Sequence, residues 1–216
     1  MLTIGLTGGV GAGKDEAAKI FKRFGVKVID ADDVGHKLLK RSSPAYKKIS
    51  KMFGLRILDS KKEIERKKLG EIVFGNRRKL KLLNRIIHPL MEKEFKKEIA
   101  KQREKGSKFV VLNAAVLFEL GWDKLVDKTI LITAPEELRI KRLQDRGISR
   151  ERALAMVSSQ WSDERKKKKA DFVIENNGSI AELKKKITDI RQLILTKGDG
   201  SIFHQRWNKR SQVRYK

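Results

Sequence analysis

The amino-terminal segment of the chain has the order strand, glycine-rich turn, helix. Residues 2–7 form a strand-like apolar run, and the turn that follows has the spacing G-x-x-x-x-G-K from Gly8 to Lys14. Apolar side chains then recur at helical spacing over residues 17–21. This order restricts the segment to a strand and helix of an α/β protein joined by a tight glycine turn.

Such a turn has the chemistry of a phosphate-binding loop. Its glycines allow backbone N–H groups to point at phosphate oxygens, and the lysine ammonium reaches the terminal phosphates. We therefore predict a nucleoside triphosphate site. A glycine turn without function is the alternative, which the flanking strand and helix disfavour. The predicted nucleotide-binding residues are Gly8, Gly9, Val10, Gly11, Ala12, Gly13, Lys14, Asp15 and Glu16.

The position after the lysine departs from the standard loop. A Ser or Thr hydroxyl usually stands there and binds the Mg²⁺ ion that bridges the phosphates. This chain has Asp15 instead. Either the carboxylate ligates Mg²⁺ directly, or its charge repels the phosphates and weakens ATP binding.

Length and composition favour one intracellular domain. The 216 residues suffice for one substantial α/β core with a small inserted subdomain. The absence of cysteine excludes disulfides and thiolate metal sites, and it fits the reducing cytoplasm. No apolar run has the length of a membrane span. We expect a cytoplasmic protein.

The chain is strongly basic, with a formal net charge of +25. Residues 1–40 carry 7 basic and 5 acidic side chains, so nearly all of the excess lies outside the phosphate loop. The basic runs could attract nucleic acid, but most are typical of solvated helix faces, and a specific nucleic-acid function is not favoured. Residues 198–216 are predicted to be a weakly ordered basic tail.

Apolar runs predict five strands separated by long helical patterns, at 2–7, 26–30, 109–113, 129–133 and 171–175. This alternation indicates a three-layer α/β/α fold with a mainly parallel five-stranded sheet, and one domain over residues 1–197. Ligands are expected at the carboxyl ends of the strands. Residues from about 45 to 105 have little strand signal and are predicted to form a helical insertion on the substrate side.

Two clusters beyond the loop carry chemistry. Asp30, Asp32 and Asp33 follow a short strand, where one carboxylate could accept a hydroxyl proton and the others could orient it or hold Mg²⁺ through water. Helix capping is the alternative, and it explains one aspartate well and three poorly.

Arg142 and Arg146, four residues apart, are predicted to share a helical face in a phosphate lid over about residues 139–165. A solvated basic helix is the alternative there.

Several segments, taken in order over about residues 2–190, resemble the dephospho-CoA kinase family. They are 4–14, 28–32, 66–74, 87–90, 117–119 and 170–174, together with Arg142, Arg146, Gln160, Asn176 and Gly178. Their shared order and spacing distinguish this family from other small P-loop kinases.

The resemblance implies a P-loop kinase that transfers a phosphoryl group from ATP, with Mg²⁺, to the ribose 3′-hydroxyl of dephospho-CoA. Asp32 would orient or deprotonate the acceptor hydroxyl. Lys14, Arg146 and Arg142 would stabilise charge on the phosphates. Nucleotide binding is implied for Asn176. Acceptor binding is implied for Asp32, His36, His88 and Glu119, although His88 could instead fix a turn at a His-Pro helix break.

Three residues depart from the family pattern. Besides Asp15, Asn113 stands where some relatives carry an acidic residue, and Ala115 replaces a proline. One hypothesis is that Asp15 ligates Mg²⁺ while the neutral Asn113 avoids a second negative charge behind it. The alternative is a catalytically degenerate P-loop kinase fold that acts as a basic nucleotide- or RNA-binding protein.

Overall fold

The computed structural model describes residues 1–73, 75–196 and 213–215. Its strands and helices, in chain order, are β1 (Leu2–Gly8), α1 (Lys14–Arg23), β2 (Lys27–Asp30), α2 (Ala31–Leu38), α3 (Pro44–Phe53), α4 (Arg66–Val73), α5 (Arg77–Glu104), β3 (Phe109–Asn113), β4 (Lys128–Thr133), α6 (Glu136–Gln144), α7 (Arg150–Ser158), α8 (Asp163–Lys167), β5 (Phe172–Glu175), α9 (Ile180–Thr196) and β6 (Val213–Tyr215). Two short 3₁₀ helices, Leu55–Ile57 and Trp122–Leu125, lie in connections.

The sheet has the strand order β2-β3-β1-β4-β5-β6. β1 pairs in parallel with β3 and β4, and β4 pairs in parallel with β5. The five predicted strands are confirmed, each within one residue of its predicted bounds. The sixth strand was not predicted: β6 pairs antiparallel with β5 and lies within the proposed basic tail. The rest of that tail, 198–212 and 216, lies outside the described residues.

The strands read as continuous apolar runs because both faces of the sheet are covered. Phe21 of α1 and Ile187 of α9 pack on one face, in a cluster that includes Ile130. Leu131, the next residue of β4, points to the other face and packs with Phe118. Alternate residues of one strand therefore contribute to two separate hydrophobic clusters.

The chain divides into two compact units. Met1–Val28 and Gln102–Lys216 form the unit that contains the phosphate loop and most of the sheet, and Ile29–Lys101 forms the second. The second unit is mainly helical and contains α2, α3, α4 and most of α5. The predicted roles of residues 45–105 as a substrate-side insertion and of 139–165 as a lid stay predictions.

Helix α5 continues through Pro89. The helix break considered for the His88–Pro89 pair is therefore wrong. A proline inside a helix removes one backbone hydrogen bond, and tertiary packing of the flanking turns can outweigh that loss. Met91 and Phe95 of this helix are both buried. No helix in the described ranges is long and apolar enough to cross a membrane.

We expect Phe21→Ala to destabilise the protein by about 3–5 kcal/mol, because it opens a cavity in the core. Phe21 is fully buried and meets the ring of Phe109 edge to face at 6.4 Å. Leu55→Ala is the control, since Leu55 is 80% exposed, and its effect should stay within about 0.5 kcal/mol. Urea unfolding monitored by circular dichroism measures both, and equal losses would contradict a core role for Phe21.

Candidate active site

Close packing requires glycine at both ends of the phosphate loop. Gly13, just before α1, has φ 97°, and a Cβ atom there would lie 2.2 Å from Asn176 Nδ2. A Cβ on Gly8 would lie 2.6 Å from the backbone oxygen of Ile132. Any side chain at these positions would push the loop away from β4 or from the segment after β5.

The loop carbonyls are held by side chains from outside the loop. Arg139 Nε donates to Val10 O at 2.8 Å, and Asn176 Nδ2 donates to Ala12 O at 2.8 Å. Arg142 Nη1 donates to Gly11 O at 3.3 Å, and its Nη2 donates to Asn176 O at 2.9 Å. In a trans peptide the N–H points opposite to the C=O. The N–H groups of the two peptides held by Arg139 and Asn176 therefore point away from those side chains, as phosphate binding requires.

The first turn of α1 keeps its amides available. Its N-cap, Gly13, makes no side-chain capping hydrogen bond. The first backbone N–H groups of a helix have no partner within the helix, and they attract anions. Val10 N–H, by contrast, already donates to Gln160 Oε1 at 2.9 Å. The candidate anion site therefore lies after Val10, towards the end of the loop where Lys14 begins the helix.

Lys14, Asp15 and Asn113 form a polar triad at this helix end. The buried Lys14 Nζ donates to Asp15 Oδ1 at 2.6 Å and to Asn113 Oδ1 at 2.9 Å. Partial burial raises the pKa of the Asp15 carboxyl, but the hydrogen bond and charge of Lys14, the hydrogen bond of Asn113 and the charge of Arg146 together lower the pKa below its ordinary value. Asp15 is thus an ionised carboxylate whose charge is offset at close range.

Arg142 and Arg146 do not share a helical face, and that prediction is wrong. Helix α6 ends at Gln144, and Arg146 lies in the next turn, where its N–H donates to Leu143 O at 3.0 Å. The charge of Arg146 nevertheless acts on Arg142. Burial and the charge of Arg146 lower the pKa of Arg142, and the same charge acts on Asp15.

In the helical unit, Asp30 is the N-cap of α2. Its Oδ1 accepts a hydrogen bond from Asp32 N–H at 3.0 Å. The cap accounts for Asp30 and leaves the side chains of Asp32 and Asp33 exposed in the first turn. His36 is exposed four residues after Asp32, so these two side chains lie on the same face of α2. These placements leave Asp32 available to a ligand.

His88 is half-buried in α5. Burial lowers the pKa of its imidazole, so His88 is neutral at pH 7. A neutral ring can accept and donate one hydrogen bond each. Any contact it makes with an acceptor substrate would therefore be a hydrogen bond without charge.

Comparisons with known proteins identify the family to which this chain belongs. The dephospho-CoA kinase family model matches residues 2–182, which is most of the chain. The chain belongs to the dephospho-CoA kinase family. The dephospho-CoA kinase of Carboxydothermus hydrogenoformans is 43% identical over 190 residues, which cover 88% of this chain and 92% of that protein. The dephospho-CoA kinase of Arabidopsis thaliana is 39% identical, with coverage of 85% and 79%.

A solved structure agrees in fold. The dephospho-CoA kinase from Campylobacter jejuni superimposes with a TM-score of 0.68 at 33% identity, over 89% of this chain and 96% of that one. The P-loop kinase fold predicted from the sequence is therefore confirmed.

Glu119 is the remaining candidate for acceptor binding in this member of the dephospho-CoA kinase family. It lies in a buried network of hydrogen bonds and an ion pair. Its Oε1 pairs with Lys166 Nζ at 3.0 Å and accepts from Trp161 N–H at 3.2 Å. Lys166 is fully buried, and its Nζ also donates to Ala115 O at 3.0 Å. Thr7 Oγ1 donates to the same oxygen at 3.2 Å. The network ties α8 to the segment after β3, two residues from Asn113.

Three residues that build this site had no individual role in the predictions from sequence, although Arg139 and Gln160 fall within the predicted lid. Arg139 is buried, holds Val10 O and forms an ion pair with Asp163 at 3.4 Å. Gln160 holds Val10 N–H, and Lys166 anchors Glu119. Arg139 and Lys166 occur within basic runs, where local pattern does not separate a buried cation from its solvated neighbours. Gln160 is only one of the residues on which the resemblance to the family rests.

We expect Lys166→Met to destabilise the protein by about 3–5 kcal/mol, because it leaves the Glu119 carboxylate buried without a cation. Lys169→Met is the matched control. The Lys169 side chain, which pairs with Asp123, is 47% exposed, and exposed ion pairs contribute about 0–1 kcal/mol. Adding Glu119→Gln to Lys166→Met should restore part of the loss. Denaturant unfolding of the wild type, of the single variants Lys166→Met, Glu119→Gln and Lys169→Met, and of the double variant measures this, and additive losses in the double variant would refute the pairing.

Proposed function

We propose that this chain transfers the γ-phosphoryl group of ATP to the ribose 3′-hydroxyl of dephospho-CoA, giving CoA and ADP in the last step of CoA biosynthesis. Family membership supports this activity. The observation that carries the assignment for this chain is the phosphate loop, whose carbonyls are held outward and whose lysine lies at the start of α1.

Lys14 keeps capacity for phosphate. An ammonium group has three N–H donors. Two of them are used by Asp15 and Asn113, at 2.6 and 2.9 Å. The third can donate to a phosphate oxygen of ATP while the first two hold the side chain in place. The same ion pair offsets the charge of Asp15, which reduces its repulsion of the phosphates.

Asp32 is our candidate for the group that accepts the hydroxyl proton. As the ribose 3′-oxygen bonds to the γ-phosphorus, the bond from that phosphorus to the β,γ-bridging oxygen breaks and ADP leaves with the electron pair. The hydroxyl proton passes to the Asp32 carboxylate. Because Asp30 serves as the helix cap, this carboxylate is not needed to satisfy the backbone of α2.

The two arginines have different parts in this mechanism. Arg142 donates to Gly11 O and Asn176 O, so it holds the loop and the segment after β5 in register. Arg146 acts on Asp15 through its charge, and we assign to it the stabilisation of charge on the transferring phosphates. His36, His88 and Glu119 stay candidates for acceptor binding.

The residues at the loop fit a magnesium ion. Mg²⁺ in phosphoryl-transfer sites is held by one or two carboxylates, phosphate oxygens and water. Asp15 offers an ionised carboxylate that is 72% exposed. No cluster of three acidic or histidine side chains occurs among the described residues, so phosphate and water would complete the ligand set. When bound, the ion neutralises charge that develops on the phosphates.

The degenerate-kinase alternative has no support in the residues that the structure describes. Lys14, Asp32 and both arginines are retained, and the charge of Asp15 is offset. The nucleic-acid hypothesis rests on the net charge, on Asp15 and on the basic tail. The cytoplasmic location stays a prediction.

We expect Asp32→Asn to lower kcat by about 10²–10⁴-fold, because an amide cannot accept the proton. Asp33→Asn is the matched control, since it removes the same charge from the neighbouring exposed position of α2. ADP release with ATP, Mg²⁺ and dephospho-CoA measures the rate, and an acceptor-free reaction gives the background. A wild-type rate in Asp32→Asn, or an equal loss in Asp33→Asn, would remove Asp32 from its assigned role.

We expect Asp15→Asn to raise the Mg²⁺ concentration needed for half-maximal binding of a non-hydrolysable ATP analogue by about tenfold, equivalent to about 1.4 kcal/mol. Asp15→Thr, which restores a hydroxyl ligand, should change it less. Calorimetric titration of the analogue at several Mg²⁺ concentrations measures this without turnover. Tighter nucleotide binding in both variants with unchanged Mg²⁺ dependence would instead establish Asp15 as a source of repulsion.

A further inference from the structure

A cavity lies at the opposite end of the parallel strands from the phosphate loop. It has a volume of about 270 Å³ and is lined by Phe24, Gly25, Val26, Lys27, Gln102, Ser107, Lys108, Phe109 and Arg191. Lys27 begins β2 and Phe109 begins β3, and Phe109 is paired with Leu2 at the start of β1. The phosphate loop follows the far end of β1. This strand is about 20 Å long, because its seven residues are separated by six steps of about 3.3 Å. All of these residues belong to the unit that contains the phosphate loop.

The charge of the cavity lining is one-sided. Lys27, Lys108 and Arg191 are cationic, and none of the lining residues that the structure describes is a carboxylate. Three cations around one recess repel one another unless an anion lies between them. The lining therefore favours an anionic ligand.

Arg191 has hydrogen-bonding capacity that the described residues leave unused. Its Nε is enclosed by protein without a hydrogen-bond partner among them, and the residue as a whole is only partly buried, so the Nη groups are the donors that a ligand can reach. Its guanidinium lies over the ring of Phe24, 5.2 Å from the ring centroid, so it is held in place by a cation–π contact. A planar guanidinium fork matches the oxygens of a phosphate group.

We propose that this cavity is a second anion site, which binds the phosphate group of a small molecule independently of the nucleotide site. Arg191 is the central donor, and Lys27 and Lys108 contribute charge at the mouth. Phe24 and Val26 line the remaining space, so a small apolar group attached to the phosphate fits beside the anion. The ligand class is therefore a small phosphate monoester, with free phosphate as the simplest member of the same chemistry.

The Nε–Hε resonance of Arg191 reports on this site directly. In ¹⁵N-labelled protein it is assigned by its loss in Arg191→Lys. The nucleotide site is first saturated with Mg²⁺ and a non-hydrolysable ATP analogue, and inorganic phosphate or phenyl phosphate is then titrated. We expect a saturable shift of this resonance with either probe. Tighter binding of phenyl phosphate assigns the site to organic phosphates, and equal binding assigns it to the free ion.

Charge variants test the lining. Lys27→Gln and Lys108→Gln should each weaken binding by about three- to fivefold, the effect of an exposed ion pair. Lys185→Gln removes the same charge from an exposed position of α9 outside the cavity and should leave binding unchanged. If the cations only offset the carbonyl end of α1, the resonance does not move with either probe. That result, or an equal loss in Lys185→Gln, overturns the proposal.

Discussion

The proposed nucleotide site of this protein depends on the orientation of the peptide groups between Val10 and Gly13. Three donors outside the loop, Arg139, Arg142 and Asn176, take up its carbonyl oxygens. Because carbonyl and amide point in opposite directions within a trans peptide, holding one side of the loop aims the other. Glycine makes this shape sterically possible, and the donors make it the resting state. The proposed phosphate site is therefore shaped before any phosphate binds.

The departure from the family pattern at the loop is a rearrangement of charge. Lys14 lies between a carboxylate at position 15 and an amide at position 113. A carboxylate at both positions would place two negative charges against one ammonium, beside the site that must accept the phosphates. With Asn113 the triad is neutral overall. The two substitutions are physically coupled through Lys14 even though they are distant in the sequence.

The fold could be predicted from the sequence because strands covered on both faces are mainly apolar, as over residues 109–112 of β3. The end of α6 could also have been predicted, since Gly147 adopts φ 80° just after it, and this glycine signal was overlooked. The buried roles of Arg139 and Lys166 had no local signal. Lys166 is the first of four consecutive lysines, and its burial and its tertiary contacts with Glu119 and Ala115 O distinguish it from the other three.

The close pairing of Lys14 with Asp15, at 2.6 Å, also affects how substrates reach the enzyme. A compensated pair has little electrostatic field beyond its own dimensions, so the loop attracts polyanions only at contact. Guidance across solvent falls to the uncompensated cations elsewhere, which give the chain its net charge of +25. Dissolved salt screens that attraction over about 8–10 Å and leaves contact interactions largely intact. Encounter is therefore governed by the surface as a whole and by ionic strength, whereas reaction is governed by the loop.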